Sequence, residues 1–270
     1  MSASLISDLK KSEDGICVNG KKEYVSYIIQ FDDTVMITMR ENASGNIIPV
    51  KIPLDIVYED EDVIIINKQY DLPTHPSQGH YEKTVANALM YYFCEKGEDC
   101  VFHAVNRLDK DTSGLMAVAK NKYAHALLCG QIKSGILKRK YTAIVCGNVE
   151  KDGAVDAPIA REEGSTIKRT VLPQGQNAVT NYRVLSRFGD YTLLELELET
   201  GRTHQIRVHL SHIGYPLLGD WLYGEENKEL FPRTALHSSY IRFIQPVTGK
   251  LIEFSADLPD DMKKFVEKIR

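Results

Sequence analysis

Apolar and polar residues alternate along residues 191–199, and this alternation predicts a β-strand with one buried face. The alternating positions are three leucines and three glutamates: Leu194, Leu196 and Leu198 against Glu195, Glu197 and Glu199. Shorter apolar runs predict strands over residues 56–58, 63–66, 115–118, 141–146, 167–172 and 181–187. Apolar residues at helical spacing predict helices over residues 84–96, 121–133, 203–213 and 260–270.

The order of these elements predicts an α+β fold, with a mixed, largely antiparallel central sheet and flanking helices. Consecutive strands joined by hairpin turns, such as the turn at residues 246–250, favour antiparallel pairing. A doubly wound dinucleotide-binding fold would need regular alternation of strands and helices and a glycine-rich first turn. The sequence has neither feature.

Residues 1–50 have the pattern of a small separate unit. Short strands are predicted over residues 15–18, 21–25 and 35–39, and Asn19-Gly20 is a strong signal for a tight turn between the first two. Residues 40–53 contain Asn, Ser, Gly and Pro53, which is typical of a linker. The main unit is therefore expected to span residues 54–270.

Composition favours a cytoplasmic protein without membrane association. The 270 residues carry a net charge of −4, so a nucleic-acid partner would have to be bound by locally concentrated basic residues. Five scattered cysteines without a CxxC pair argue against a disulfide framework or a zinc knuckle and favour reduced thiols. The N-terminus lacks the pattern of a signal peptide, and no apolar run approaches the length of a membrane span.

A polar turn over residues 107–112 contains the first candidate for chemistry. Arg107 lies two residues before Asp109, and a nearby arginine keeps a carboxylate ionised, so that it can act as a nucleophile. The turn precedes an apolar strand, and loops held on rigid strands often carry catalytic residues. In the alternative interpretation Asp109 and Asp111 only shape the loop, because Asp, Thr, Ser and Gly all favour turns.

A second basic cluster lies far along the chain, over residues 201–207. Gly201 can end the preceding strand and Thr203 can cap a helix, which would place Arg202 at an electropositive helix N-terminus and Arg207 one turn later. The two segments together predict one anionic catalytic group in a cationic cleft. In the alternative interpretation this is a solvated amphipathic helix whose arginines pair with the glutamates of the preceding strand.

Histidines in and after this cluster raise the question of a metal site. They are His204, His209 and His212. The last two share one face of the predicted helix, but no acidic or cysteine ligand lies nearby in the sequence, so no metal is predicted.

The third segment, residues 138–141, places basic residues directly before an aromatic one. Lys140 and Tyr141 suit contact with a phosphate and stacking on a base. The alternative is a charged strand edge, which lysines commonly protect.

These segments together resemble the RluA family of RNA pseudouridine synthases. Residues 107–115 (RLDKDTSGL) are similar to the signature segment of that family, and Lys140-Tyr141 and residues 201–207 (GRTHQIR) to its two later segments. Asn67-Lys68 with residues 72–76 (LPTHP) is similar to its opening segment. The resemblance covers about residues 54–260. The unit at residues 1–50 resembles a truncated RNA-binding module of a small-subunit ribosomal protein.

The resemblance implies that the protein converts uridine to pseudouridine within RNA by flipping the base out of the RNA, without a cofactor or metal. Asp109 would be the nucleophile, or the base in a glycal-type route, Arg202 would pair with it, and Tyr141 would stack on the uracil. The remaining implied site residues fill the gap left by the base, line the pocket or contact the RNA: Arg107, Ile206, Lys140, Arg207 and His75. Ribosomal RNA is the favoured substrate, transfer RNA is the alternative, and a monomer is expected.

Asn106 departs from the commonest pattern of the family, which has histidine before the arginine. Asparagine keeps a hydrogen-bonding side chain but takes up no proton near neutral pH. Activity is expected to survive because the implied nucleophile is the aspartate.

Two other classes of protein remain as alternatives. A non-catalytic RNA-binding protein could keep this fold, although intact Asp109, Tyr141 and Arg202 argue against it. A glycoside hydrolase usually needs two catalytic carboxylates, and Asp111 is too close in sequence to Asp109 to be a confident second one.

Overall fold

The computed structural model describes residues 3–39, 47–77, 79, 81–98 and 101–270. Strands in these residues, in chain order, are β1 (Ile16–Val18), β2 (Lys21–Lys22), β3 (Val35–Ile37), β4 (Ile56–Glu59), β5 (Val63–Lys68), β6 (His103–Ala104), β7 (Ser113–Ala119), β8 (Lys138–Cys146), β9 (Gly153–Asp156), β10 (Ile159–Arg161), β11 (Arg169–Val171), β12 (Val179–Phe188), β13 (Tyr191–Leu198), β14 (Leu236–Ile244) and β15 (Leu251–Ser255). Helices are α1 (Ala3–Lys11), α2 (Val85–Lys96), α3 (Lys122–Lys133), α4 (Gln205–His212) and α5 (Asp260–Ile269).

One large sheet dominates the fold, with strand order β4-β5-β7-β14-β8-β13-β12-β9, while β15 pairs with β14 and β6 with β7. The pairing of β14 with β7 is parallel, and the neighbouring pairs are antiparallel. The predicted α+β fold with a largely antiparallel sheet is therefore confirmed. The turn at residues 246–250 connects β14 to β15, as predicted.

Helices cover both faces of the sheet centre, so its strands are buried on both sides. In β5, Ile64 and Ile66 pack into the cluster that contains α2, while Val63 and Ile65 pack into the cluster that contains α3. This explains why β5 is a continuous apolar run rather than an alternating one.

Local sequence sets the ends of the first two flanking helices. The side chain of Thr84 accepts a hydrogen bond from Asn87 N at the start of α2, and that of Asn121 does the same for Ala124 N at the start of α3. Gly97 ends α2 in the left-handed conformation, with φ of 67°. The predicted helices at residues 84–96 and 121–133 are confirmed.

The N-terminal strands form a sheet of their own, in the order β2-β1-β3. The expected linker at residues 40–53 lies partly outside the described residues, at 40–46. The rest of it is bound to the main unit, since Val50 N donates to Asn87 O (3.1 Å) and Ile48 O accepts from Asn87 Nδ2 (2.8 Å). Ile47 and Ile52 pack against the core beside α2.

The polar turn at residues 107–112 lies between β6 and β7, and two buried basic side chains donate hydrogen bonds to its backbone. Lys68 Nζ donates to Lys110 O (3.1 Å) and also to Leu72 O (2.8 Å), which ties the turn to the segment after β5. Arg233 Nη1 donates to Asp111 O (3.0 Å). Burial lowers the pKa of Lys68 to about 7. In the described residues, no helix is both long and apolar enough to cross a membrane.

Candidate active site

A cavity of about 740 Å³ opens where the polar turn meets the segment before α4. Its wall is formed by residues 104–110 and 198–207, and Arg139 and Tyr141 of β8 also line it. Cavities of this size accommodate a small organic ligand such as a nucleoside. The structure therefore brings together the polar turn, the basic cluster and β8, which lie far apart in sequence.

Asp109 presents a carboxylate to this cavity. Its carbonyl oxygen accepts a hydrogen bond from Thr112 N (3.1 Å), which closes the turn, and its side chain is 31% exposed. Arg207 Nη1 lies 3.2 Å from Asp109 Oδ2. The arrangement is that of a carboxylate accessible to a ligand and stabilised by one buried cation.

Arg207 is itself fixed by a second carboxylate. Its Nε and Nη2 atoms donate to the two oxygens of the fully buried Asp220, each at 2.7 Å, and its guanidinium lies over the ring of Tyr223, 5.0 Å from the centroid. Burial alone would lower the pKa of Arg207, but the carboxylates of Asp220 and Asp109 raise it above its usual value. Arg207 is therefore a permanent, oriented cation.

The expected partnership of Arg202 with Asp109 is wrong, because Arg207 makes this ion pair. Arg202 is exposed, and its Nε donates to Asn177 O (3.0 Å). Helix α4 begins at Gln205, not at Thr203, and the side chain of Gln205 accepts from Arg202 N (3.0 Å). Arg207, for which RNA contact was expected, is buried in the ion-pair network instead.

Tyr141 and Ile206 lie in the cavity wall and are both 4% exposed. Burial raises the pKa of Tyr141 and outweighs the charge of the nearby Arg139, which lowers it, while the charge of Asp109 raises it further. The phenol is therefore neutral around pH 7 and offers a ring face and a protonated hydroxyl.

Lys140, for which contact with RNA was expected, does not line the cavity. Side chains alternate along β8, so Lys140 faces away from Tyr141, lies 3.4 Å from Glu195 Oε1 and sits over the ring of Tyr240. Arg139, one residue earlier, faces the cavity with Tyr141. Gly201 leaves room for it, because a Cβ at that position would lie 3.3 Å from Arg139 Nη1.

Arg107 and His75 are exposed side chains at the rim of the cavity. The ring of His75 meets the edge of Phe102, with centroids 5.0 Å apart. Asn106 is buried behind them, and its Oδ1 accepts from Ala117 N (2.9 Å) in β7. The asparagine therefore supports the backbone that carries the turn.

His204 lies beside the carboxylate and has the left-handed backbone conformation, with φ of 58°. Its Nδ1 is 2.8 Å from the Tyr223 hydroxyl and its Nε2 is 3.9 Å from Asp109 Oδ2. Burial lowers the pKa of His204, so the imidazole is neutral around pH 7. Among the residues that the structure describes, no group of histidine, cysteine and acidic side chains could hold a metal ion.

Sequence reasoning missed Asp220 and Tyr223, which orient Arg207. A signal was present, since Asp220 follows the apolar pair Leu217-Leu218 and precedes Trp221. A carboxylate in an apolar run needs a buried cation.

The fold and site define an RNA-modifying enzyme. The family model described as RNA pseudouridylate synthase matches residues 62–212, more than half of the chain. The chain belongs to this family, as its resemblance to the RluA members implied. It is an RNA pseudouridine synthase, an isomerase that converts uridine in RNA to pseudouridine.

Two relatives match more than nine-tenths of the chain. The RNA pseudouridine synthase YjbO of Bacillus subtilis is 42% identical over 269 residues, which cover 99% of this chain and 95% of the relative. Ribosomal large subunit pseudouridine synthase D of Pasteurella multocida is 41% identical, covering 92% of this chain and 78% of the relative.

A solved structure confirms the fold. Human RNA pseudouridylate synthase domain containing 4 superimposes with a TM-score of 0.64 at 26% identity, over 80% of this chain and 92% of that chain.

Proposed function

We propose that Asp109 performs the isomerisation and that the substrate is ribosomal RNA. The observation that carries the catalytic assignment is the position of this carboxylate, which is partly exposed in a cavity of nucleoside size and paired with a buried arginine. Relatives named ribosomal large subunit pseudouridine synthase D support the choice of RNA.

The target uridine must leave its RNA stack to reach Asp109. Flipping costs a few kcal/mol, and the exposed Arg107 at the rim is suitably placed to fill the gap in the RNA. The ring of Tyr141 would then stack on the uracil. Arg202, also exposed, suits a phosphate contact.

Two routes are open to the carboxylate. Asp109 attacks C1′ of the ribose as a nucleophile, or it removes a proton from the sugar in a glycal-type route. In both, the bond between C1′ and N1 breaks, the base turns, and a bond from C1′ to C5 replaces it. Arg207 donates to the carboxylate and holds it in position in either case.

We further propose that the enzyme acts as a monomer in the cytoplasm and that its N-terminal unit contributes to RNA binding. The free thiols of Cys17, Cys94, Cys129 and Cys146 support a reducing compartment.

The catalytic assignment is tested by Asp109→Asn, with Asp111→Asn as the matched control in the same turn. We expect Asp109→Asn to bind RNA with unchanged affinity and to form no pseudouridine, because the amide is not an anionic nucleophile. Asp111→Asn should keep turnover within about threefold, since the half-buried Asp111 does not line the cavity that contains Asp109.

The measurement is pseudouridine formation on unmodified transcripts of large-subunit ribosomal RNA and of transfer RNAs, followed by mapping of the modified position. Turnover by Asp109→Asn at the wild-type rate would refute the role of this carboxylate. Modification of transfer RNA alone would refute the choice of substrate.

A further inference from the structure

Arg139 has an unusual environment for a charged side chain. It is only 5% exposed, its Nε atom is buried without a hydrogen-bond partner, and among the described residues no carboxylate forms an ion pair with it. A buried charge without a partner is costly, because it loses its hydration and gains nothing in return. Arg139 lines the cavity that contains Asp109, so a ligand in the cavity can supply the missing partner.

The nearby carboxylates have partners other than Arg139. Glu199, which also lines the cavity, accepts a hydrogen bond from Asn181 Nδ2 (2.9 Å). Glu195 and Glu197, on the adjacent strand β13, bind Lys140 and Lys138 on the opposite face of β8. Asp109 is paired with Arg207. The protein therefore leaves the donors of Arg139 available to an occupant of the cavity.

The position of Arg139 fits a base better than a phosphate. Arg139 and Tyr141 lie two residues apart on β8 and face the same side, in the depth of the cavity. The exposed Arg202 at the mouth is better placed for a phosphate. A uracil stacked on Tyr141 would present its carbonyl oxygens to neighbouring donors at this depth.

We propose that Arg139 donates a hydrogen bond to a carbonyl oxygen of the flipped uracil and stabilises the negative charge that the base acquires as it leaves the ribose. This inference rests on the proposed function, which places the target uridine beside Asp109. When the bond between C1′ and N1 breaks, its electron pair stays on the base and spreads over N1 and the carbonyl oxygens. The base then bonds to C1′ through C5, the C5 proton is lost, and N1 gains a proton.

The first test compares Arg139→Met and Arg139→Lys with the wild type. We expect Arg139→Met to lower kcat by about 10²- to 10³-fold, as removal of a donor to a developing anion does. The Kd for RNA should change by less than about threefold, because phosphate contacts dominate affinity. Arg139→Lys keeps the charge but lacks the planar guanidinium. Its kcat should therefore lie between those of the wild type and Arg139→Met.

Stability separates this role from a structural one. Methionine removes an unpaired buried charge, so Arg139→Met should unfold at the same temperature as the wild type or higher. Lys138→Met is the matched control on the opposite face of β8 and should leave kcat within about threefold.

The second test replaces the target uridine by 2-thiouridine or 4-thiouridine in the mapped RNA fragment. Sulfur is a weaker acceptor, so one of the two should slow the wild type but have no further effect on Arg139→Met. An unchanged kcat in Arg139→Met would overturn the proposal, as would a loss confined to Kd or additive effects of both thio substitutions. The Asp109→Asn result is independent, because it reports on the carboxylate whatever Arg139 contacts.

Discussion

At the scale of single residues, Arg207 lies between two carboxylates that differ in exposure. Asp220 is fully buried and accepts two hydrogen bonds from the guanidinium. Asp109 accepts one hydrogen bond from it, and its side chain stays partly exposed to the cavity. Asp220 therefore sets the orientation of the arginine. Asp109 lies next to the positive charge of Arg207, but its carboxylate remains accessible from the cavity.

Arg207→Lys tests this division of roles, with Arg202→Lys as the matched control. Lysine keeps the charge but cannot bridge two carboxylates with a planar fork, so we expect kcat to fall about 10²-fold, as small misplacements at an active site do. Arg202→Lys should leave kcat unchanged and alter only the affinity for RNA. The comparison uses steady-state kinetics on the mapped RNA fragment, and equal losses of kcat in the two variants would contradict the assignment.

The types of residue at the site could be predicted from the sequence, but the partner of Asp109 could not. Helical spacing placed Arg202 at the helix start, yet the left-handed conformation of His204 delays the first turn until Gln205. That conformation is rare for a residue other than glycine, and no local sequence signal announces it. Alternation along β8 could have identified Arg139 in place of Lys140, since Tyr141 fixes the inward face.

At the scale of elements, the parallel pair β7 and β14 supports the polar turn. His237 of β14 lies opposite Ser113 of β7, and His237 Nδ1 is 2.9 Å from Ser113 Oγ. The pairing was not predicted, because hairpin signals report only on strands that are neighbours in sequence. The helices with side-chain caps and the hairpin of β14 and β15 were predicted because their signals are local.

His237→Gln should change how stability depends on pH. Burial, followed by the charge of Arg233, lowers the pKa of His237 from 6.5 to about 4. In the unfolded chain this histidine is protonated below pH 6.5, whereas in the folded protein it is protonated only below about pH 4. Between these two pH values protonation favours the unfolded state. The free energy of unfolding therefore falls as the pH falls from 6.5 to 4. The contribution is about 3 kcal/mol.

Urea unfolding of the wild type and of His237→Gln at pH 7 and at pH 4 measures this contribution. We expect the wild type to lose about 3 kcal/mol more than the variant between these conditions. The exposed His212 provides the control, and His212→Gln should follow the wild type. Parallel pH curves for His237→Gln and the wild type would show that His237 does not titrate in this way.

At the scale of the whole molecule, residues 47–53 contact the main unit. The sequence of residues 47–53 is typical of a linker because its apolar residues have neither helical nor strand spacing. Tertiary contacts nevertheless bind these residues to α2. The unit before them exposes large apolar side chains, including Tyr24 (79%), Ile28 (78%) and Phe31 (95%). The rings of Tyr24 and Phe31 suit stacking on unpaired bases.

Two truncated proteins separate these roles, one starting at residue 47 and one at residue 54. The first keeps every contact between residues 47–53 and α2, so we expect its melting temperature and kcat to match those of the full chain while its Kd for RNA rises. The second also loses the packing of Ile47 and Ile52 and the hydrogen bonds of Ile48 and Val50 with Asn87. These losses amount to about 2 kcal/mol or more, which corresponds to a melting temperature lower by roughly 4–8 °C.

Thermal unfolding and filter binding of the mapped RNA fragment distinguish the outcomes. Equal melting temperatures for the two truncated proteins would mean that residues 47–53 contribute nothing to the main unit. An unchanged Kd in the protein starting at residue 47 would show that the N-terminal unit does not contribute to RNA binding. The affinity for RNA depends on phosphate contacts, which salt weakens, and the chain has a net charge of −4. The Kd values are therefore compared at one fixed salt concentration. Any difference in Kd then reports the missing N-terminal unit and not the screening of charges by salt.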